Sequence, residues 1–239
     1  MPTSNFTNIG NITISNIKLN QNICIENSDL GKTTFIDCNF SEQKMIFDSS
    51  KITEVALAGG YLPKPSNIYC LAENQDEQKK LALSQIKKIY QNMGDVVTAS
   101  RYQAEELNTY MNTLSFGWEK LNLTLNKITN NHGQSWGKAF KILLVGGIIL
   151  YCLYCFSLGF TIDFSKQGFE KLFRNSGYFL EFLNPIRKSD FLPKVLIDAK
   201  EETDVPTIAF VVDSISKIFT AYLIYQLIAA FRKHGKKSE

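Results

Sequence analysis

The sequence predicts a mainly α-helical membrane protein with a short β segment at its N-terminal end. Three observations predict this fold class. Residues 142–162 form a run of 21 residues without a charge, a second apolar stretch lies near the C-terminal end, and an apolar residue recurs at every fifth position between residues 23 and 45. We therefore expect five segments, at 1–62, 69–134, 135–162, 163–204 and 205–239.

The composition excludes several functional classes. A net charge of +3 in 239 residues is too small to indicate a nucleic-acid partner. Gly31-Lys32-Thr33 resembles the end of a P-loop, but Glu26 stands where that motif requires glycine. Cys152 and Cys155 lie inside the long apolar run, where thiols are ordinary small side chains. We expect no catalytic residue, no cofactor and no metal site.

The five-residue spacing predicts the structure of residues 1–62. A period of five fits neither a helix nor an alternating strand. It fits a square parallel β-solenoid, in which each side takes five residues and both a large and a small residue point inward. The large residues are Ile25, Leu30, Phe35, Phe40 and Met45, and small residues stand two places earlier at Ser28, Thr33 and Cys38. A few irregular strands are the alternative.

Residues 69–134 carry a helical pattern that is broken once. Gly94-Asp95 divides it into two helices, which predicts an αα-hairpin. A third helix, from about Trp118 to Asn130, connects the hairpin to the apolar run. The N-terminal residues lack the basic and apolar stretches of a secretory signal, so we expect this part of the chain in the cytosol.

Two transmembrane helices are predicted, within residues 135–162 and 205–239. The first apolar run is long enough for the roughly 30 Å hydrocarbon core. The second has only 14 uncharged residues, Ile218–Phe231, and its extension toward residue 205 takes in two charges. A basic tail follows, which favours a cytoplasmic location for both termini.

The second predicted helix has a polar face. Asp213 and Lys217 are four residues apart and can pair, and Ser216 and Thr220 lie on the same face. Ionisable groups inside a membrane are candidates for function. This face could line the water path of an oligomeric pore, or the two charges could lie near the outer interface and reach water.

The loop at 163–204 contains a second candidate feature. Its apolar residues favour an amphipathic helix that lies on the outer leaflet or enters the membrane as a re-entrant helix. They are Phe169, Leu172, Phe173, Phe179, Phe182 and Leu183.

Several segments together carry a family resemblance. They are the ladder at 25–45, SQIKKIYQNMGDVVTASRYQAEE, LNKITNNHGQSW, FLEFLNP and the closing LIYQLIAAFRK. The chain resembles bacterial two-span membrane proteins with pentapeptide repeats, some of whose members look like ion channels. The resemblance implies a pentapeptide-type β-solenoid, a cytosolic helical hairpin and a transmembrane hairpin in the bacterial inner membrane. It implies no catalytic residues.

Two functions follow as hypotheses. The first is a non-enzymatic, oligomeric membrane protein that binds a cytosolic protein partner through its N-terminal half. The second is an oligomeric ion-conducting pore, or a membrane-depolarising effector, gated by that half. Both place the chain in a lipid bilayer, and both predict a homo-oligomer. The depth of the loop helix and the burial of the Asp213 face distinguish them.

Overall fold

The computed structural model describes residues 2–15, 22–52, 54–71, 73–160, 165–196 and 206–235. The chain divides into two compact units. The first comprises Met1–Gln134 with Lys233–Glu239, and the second comprises Ser135–Arg232. The described part is mostly helical, with short parallel strands confined to the first 70 residues.

Within the described part of the chain, seven short strands form two parallel sheets. One has the order β1-β3-β5-β7 and the other β2-β4-β6. Residues that pair in neighbouring strands lie 22 positions apart in the sequence, as in Ile23 with Met45 and Phe35 with Leu57. The strands are β1 Pro2–Ser4, β2 Asn11–Ser15, β3 Ile23–Glu26, β4 Lys32–Ile36, β5 Met45–Asp48, β6 Ala56–Ala58 and β7 Ile68–Tyr69.

The five-residue ladder does mark interior positions. Ile25, Leu30, Phe40 and Met45 are buried, and Phe35 is partly buried and packs against the same core. The three small residues, Ser28, Thr33 and Cys38, are buried as well. The five-residue spacing therefore predicted correctly which side chains are buried or partly buried in the folded protein.

The ladder continues beyond Met45 with a displaced phase. A turn at Ser41-Glu42 adds two residues, after which the large interior positions fall at Phe47, Ile52, Leu57 and Leu62. Met45 therefore occupies the interior position two places before the large residue Phe47. Four five-residue steps and the two-residue turn account for the offset of 22 between Ile25 and Phe47.

Two helices pack against the last strands of the first unit. They are α1 Gln75–Asn92 and α2 Val96–Thr113, joined at Gly94-Asp95 as predicted. The rings of Tyr90 and Tyr102 stack with centroids 5.4 Å apart. The Leu62 amide donates to the Tyr90 hydroxyl at 2.9 Å, and the Tyr102 hydroxyl donates to the Pro63 carbonyl. The strands and the hairpin thus share one core. Helix α3, Trp118–Asn130, follows and contacts α2.

Two helices of the second unit are long and apolar enough to cross a membrane. They are α4 Trp136–Ser157 and the residues Thr207–Arg232 of α8, which spans Thr207–Gly235. The rings of Trp136 and Phe231 stack at 5.2 Å. Gly146 faces Phe219, since a methyl group at Gly146 would overlap the Phe219 ring. These contacts show that α4 and α8 lie side by side and antiparallel.

The segment between α4 and α8 differs from the single amphipathic helix expected there. It contains α5 Lys166–Ser176, α6 Phe179–Phe182 and α7 Phe191–Leu196. The predicted apolar helix is interrupted at Gly177, which follows the last residue of α5. Near this break the carbonyl of buried Asn175 accepts a hydrogen bond from the Tyr151 hydroxyl of α4 at 2.5 Å. The side chains of Phe169 and Leu172 lie outside the described part of the chain.

Candidate functional site

One face of α8 is both polar and buried. Asp213, Ser216 and Thr220 are at most 2% exposed, and Gln226 continues the same stripe with 5% exposure. The opposite side of the helix is apolar and exposed, at Ile208, Val211, Ile215, Ile218, Tyr225 and Ile228. A helix with apolar side chains outside and polar side chains inside is typical of a lipid environment, where polar groups must find partners within the protein.

Arg187 is the principal partner of this polar face. Its Nη2 atom lies 2.6 Å from Asp213 Oδ1, and its Nε atom lies 3.1 Å from the same oxygen. Nη2 also donates to Ser216 Oγ at 2.6 Å. The arginine side chain is completely buried, and the Asp213 side chain is 3% exposed. The ion pair therefore lies in a region with little solvent screening, where Coulomb attraction is strong.

The remaining guanidinium nitrogen is also satisfied. Arg187 Nη1 donates to the Phe182 carbonyl, and to the Asn184 carbonyl at 3.1 Å. The guanidinium carbon lies 4.3 Å from the centroid of the Phe182 ring. A buried charge is tolerated when it is both paired and hydrogen-bonded, and Arg187 meets both conditions.

The predicted pair of Asp213 and Lys217 forms as well. Lys217 Nζ lies 2.8 Å from Asp213 Oδ2 and donates to Ser189 Oγ at 2.6 Å. The lysine side chain is 21% exposed. Asp213 is thus held between two cations, one from the loop and one from its own helix. We call Arg187, Ser189, Asp213, Ser216 and Lys217 the charge cluster.

A tight turn positions Arg187. The Ile186 amide donates to Asn184 Oδ1 at 3.0 Å, and the Arg187 amide donates to the Asn184 carbonyl at 3.3 Å. An asparagine followed by proline favours this kind of turn. Directly before the turn, Phe182 is fully buried, with ring centroids 5.2 Å from Tyr151 and 5.5 Å from Tyr154.

The loop reaches the middle of α4. Gly147 is the twelfth of the 22 residues of α4, about 16 Å along the axis from Trp136. A Cβ atom at Gly147 would lie 2.6 Å from Leu183 Cδ2 and 3.5 Å from the Phe179 ring. Gly146 and Gly147 therefore allow close packing, one against α8 and the other against the loop.

The predicted site residues fall into separate environments. Asp213, Ser216 and Thr220 face the interior of their own unit, and Lys217 lies at its edge. Among the loop residues, Phe179, Phe182 and Leu183 pack against α4, whereas Phe173 is 84% exposed. The four residues whose side chains are described therefore do not form one continuous apolar face.

Arg187 was missed by the sequence reasoning. The sequence does contain an indication of this role. Arg187 stands two residues after Asn184-Pro185, and an aromatic segment precedes that dipeptide. An arginine that follows an apolar segment and a turn, in a chain with an intramembrane aspartate, is a candidate partner for that aspartate.

Comparisons with protein-family models, with curated proteins and with solved structures find no match for this chain. The chemistry of the charge cluster therefore has to be interpreted from its own geometry. Each donor of the Arg187 guanidinium named above has an acceptor, and Asp213 accepts from Arg187 and forms an ion pair with Lys217 at 2.8 Å. Such a cluster is suited to hold segments together.

Proposed function

We propose that this chain is a non-enzymatic membrane anchor that presents its N-terminal unit to a protein partner in the cytosol. The observation that carries the proposal is the burial of the Asp213 face within a single chain. Arg187 supplies the opposite charge from the loop, so the Asp213 carboxylate is neutralised within one chain and buried from water.

The alternative, a pore lined by α8, requires this face to meet water. Ser216 is 0% exposed and Thr220 is 1% exposed. Opening a water path along them would break the hydrogen bond between Arg187 and Ser216 and expose the packed Phe182 ring. The sides of α8 that remain available to other copies are apolar, and they favour contact with lipid or with other helices rather than with an ion path.

The loop is proposed to be re-entrant. The contacts of Phe179 and Leu183 with Gly147 support this, because Gly147 lies midway along α4. Non-helical backbone at membrane depth is tolerated where protein surrounds it. Here the turn at Asn184 is closed by its own side chain and by the charge cluster. We place the loop on the outer side of a bacterial inner membrane and both termini in the cytoplasm.

The N-terminal strands are proposed to form the coils of a pentapeptide-type solenoid, and the chain to belong with the two-span proteins that it resembles. The parallel register and the displaced five-residue ladder support this. The helical hairpin packs near β7 at one end of the strand stack. At the other end, β1 and β2 are the edge strands of their sheets among the described residues.

This second end is where we expect a partner to bind. An apolar cavity of about 440 Å³ lies between the two sheets, and its lining extends from Phe6 and Ile12 at this end to Ile52 and Leu62 further along the core. A free strand edge offers backbone donors and acceptors, and an adjoining apolar cavity can take a side chain. An extended apolar segment of a cytosolic protein fits both features.

Reconstitution into liposomes tests the anchor against the pore. We expect vesicles that contain the protein to retain a trapped dye as well as empty vesicles do. We also expect cysteines at positions 216 and 220, in a background with Cys152→Ser and Cys155→Ser, to resist a membrane-impermeant thiol reagent. A cysteine at exposed Lys188 is the positive control. Dye release together with labelling at 216 and 220 would refute the anchor and support the pore.

A further inference from the structure

Helix α3 has an apolar face that the described residues of its own unit leave largely exposed. Trp118 is 87% exposed, Ile128 is 53% exposed, and Leu121 and Leu125 are each 40% exposed. These four residues are spaced by three, four and three positions, which places them on one narrow stripe of the helix. Phe116, just before the helix, is 95% exposed.

The other sides of α3 account for its attachment to the unit. Thr124 Oγ1 lies 3.4 Å from Met111 Sδ, and the Lys120 ammonium group donates to the Leu114 carbonyl at 2.9 Å. The Tyr110 hydroxyl donates to Glu119 Oε1 at 2.9 Å. The helix is therefore held by polar contacts to α2 and the link that follows it, while its most apolar residues face away from them.

Such an exposed stripe is unfavourable in water. Burying apolar surface releases about 25 cal/mol for each Å². Monomeric soluble proteins rarely leave a contiguous patch of large apolar side chains uncovered, and an amphipathic helix with Trp and Leu on one face and Lys on the other is the usual pattern of a helix that lies in a membrane interface.

The sequence places this helix next to α4, the first membrane-spanning candidate. Only residues 131–135 separate the end of α3 from α4, so the chain limits the distance between the two helix ends to about 20 Å. Residues 118–141 contain four lysines and one glutamate, an excess of positive charge that suits anionic lipid headgroups.

We propose that α3 lies in the headgroup region of an anionic phospholipid bilayer, with Trp118, Leu121, Leu125 and Ile128 directed toward the acyl chains. It holds the N-terminal unit at the membrane surface. This inference rests on α4 crossing the membrane, because the crossing brings α3 to the surface. It adds a lipid-binding element to the N-terminal unit, which the anchor function does not require.

The chain has only two tryptophans, so each can be observed alone. Trp136→Phe leaves Trp118 as the only reporter, and Trp118→Phe leaves Trp136. Each full-length variant is reconstituted into phosphatidylglycerol-containing vesicles whose phosphatidylcholine carries bromine on the upper acyl chain. Bromine quenches an indole on contact. We expect most of the emission to be lost for both reporters, and the emission of Trp118 to resist acrylamide added to the water.

A pair of matched variants tests the stripe itself. In the Trp136→Phe background, Leu121→Gln combined with Leu125→Gln should reduce the quenching of Trp118 by lipid and increase its quenching by acrylamide. Lys127→Arg, on the opposite side of the same helix and with the charge kept, should leave both unchanged.

The outcomes separate this inference from the anchor. Quenching of Trp136 alone would show that α4 enters the bilayer and α3 does not, which overturns the inference and leaves the anchor intact. If Trp118 is shielded from both bromine and acrylamide, protein covers the stripe, and the inference is overturned in favour of a second copy or another protein. If bromine quenches neither tryptophan, the membrane location of α4 fails as well.

Discussion

Arg187 and Asp213 are 26 residues apart in the sequence and form a buried ion pair, with 2.6 Å between Arg187 Nη2 and Asp213 Oδ1. The pair joins the loop to the second membrane-spanning candidate. Neither charge is stable alone at that position, since removing one partner of a buried pair leaves an uncompensated charge. The ion pair therefore makes the position of the loop depend on α8, and that of α8 on the loop.

The first prediction concerns this pair. Arg187→Met and Asp213→Asn should each lower the free energy of unfolding of the second unit by about 3–5 kcal/mol, because each leaves a buried charge without its main partner. The joint change Arg187→Met with Asp213→Asn should cost clearly less than the sum of the two single changes. Thermal unfolding in detergent micelles measures all three.

The control for this prediction is the exposed pair of Asp190 and Lys194. Their side chains are 64% and 73% exposed, and the Lys194 ammonium group lowers the pKa of Asp190. Asp190→Asn should leave the unfolding temperature nearly unchanged, since exposed pairs are screened by water. A joint variant as unstable as the sum of the two single variants would contradict the pairing.

The second prediction concerns the close packing of α4. Gly146→Ala should cost about 1–3 kcal/mol, because its methyl group would overlap the rigid ring of Phe219. Gly147→Ala should cost less, since Leu183 is flexible and can move. Gly137→Ala is the matched control: it lies on the same helix, meets no atom within 4 Å, and should be neutral or slightly stabilising.

Rescue makes this prediction specific. Combining Gly146→Ala with Phe219→Leu should recover part of the lost unfolding temperature, because the smaller side chain leaves room for the methyl group. If Gly137→Ala and Gly146→Ala behave alike, the helices do not meet at Gly146 and Phe219.

The third prediction concerns pH. Burial raises the pKa of both Tyr90 and Tyr102 above the ordinary value near 10. Below pH 10 the phenols are neutral in both states, and the native contacts contribute fully. Above about pH 10 the unfolded chain releases protons that the folded chain retains, so the stability of the first unit should fall as pH rises. Urea unfolding between about pH 9 and pH 11 measures this slope.

Two variants identify the tyrosine responsible for the slope. Tyr102→Phe should lower the stability at neutral pH by about 1–3 kcal/mol, because it leaves the Pro63 carbonyl without its donor, and should also flatten the alkaline slope. Tyr61→Phe, at a side chain that is 57% exposed, should change neither. An unaltered slope in Tyr102→Phe would assign the alkaline loss to other groups.

The fourth prediction concerns the displaced ladder. Phe47 is 1% exposed, so Phe47→Ala should cost about 3–5 kcal/mol. Ile46→Ala, at the adjacent residue of β5 that points to the other face, should cost clearly less. Proteolysis of the first unit in increasing urea compares them. If both substitutions lower the stability equally, the buried positions of the five-residue ladder do not shift by two residues at Ser41-Glu42.

The local features of this protein could be predicted from its amino-acid sequence. The apolar runs identified α4 and the greater part of α8, Gly94-Asp95 marked the break between α1 and α2, and the five-residue spacing selected the buried positions from Ile25 to Met45. Each of these depends on properties that act within a few residues, namely the transfer of side chains out of water and the conformational preferences of the backbone.

The contacts between groups that are distant in the sequence could be identified only from the tertiary structure. The pairing of Asp213 with Lys217 could be predicted, because residues four apart share a helical face. The pairing of Asp213 with Arg187 could not, since the loop contains several basic residues and no local pattern selects one of them. The selection depends on the fit of Phe182 between Tyr151 and Tyr154 and of Leu183 over Gly147, which places the turn, and with it Arg187, beside the carboxylate.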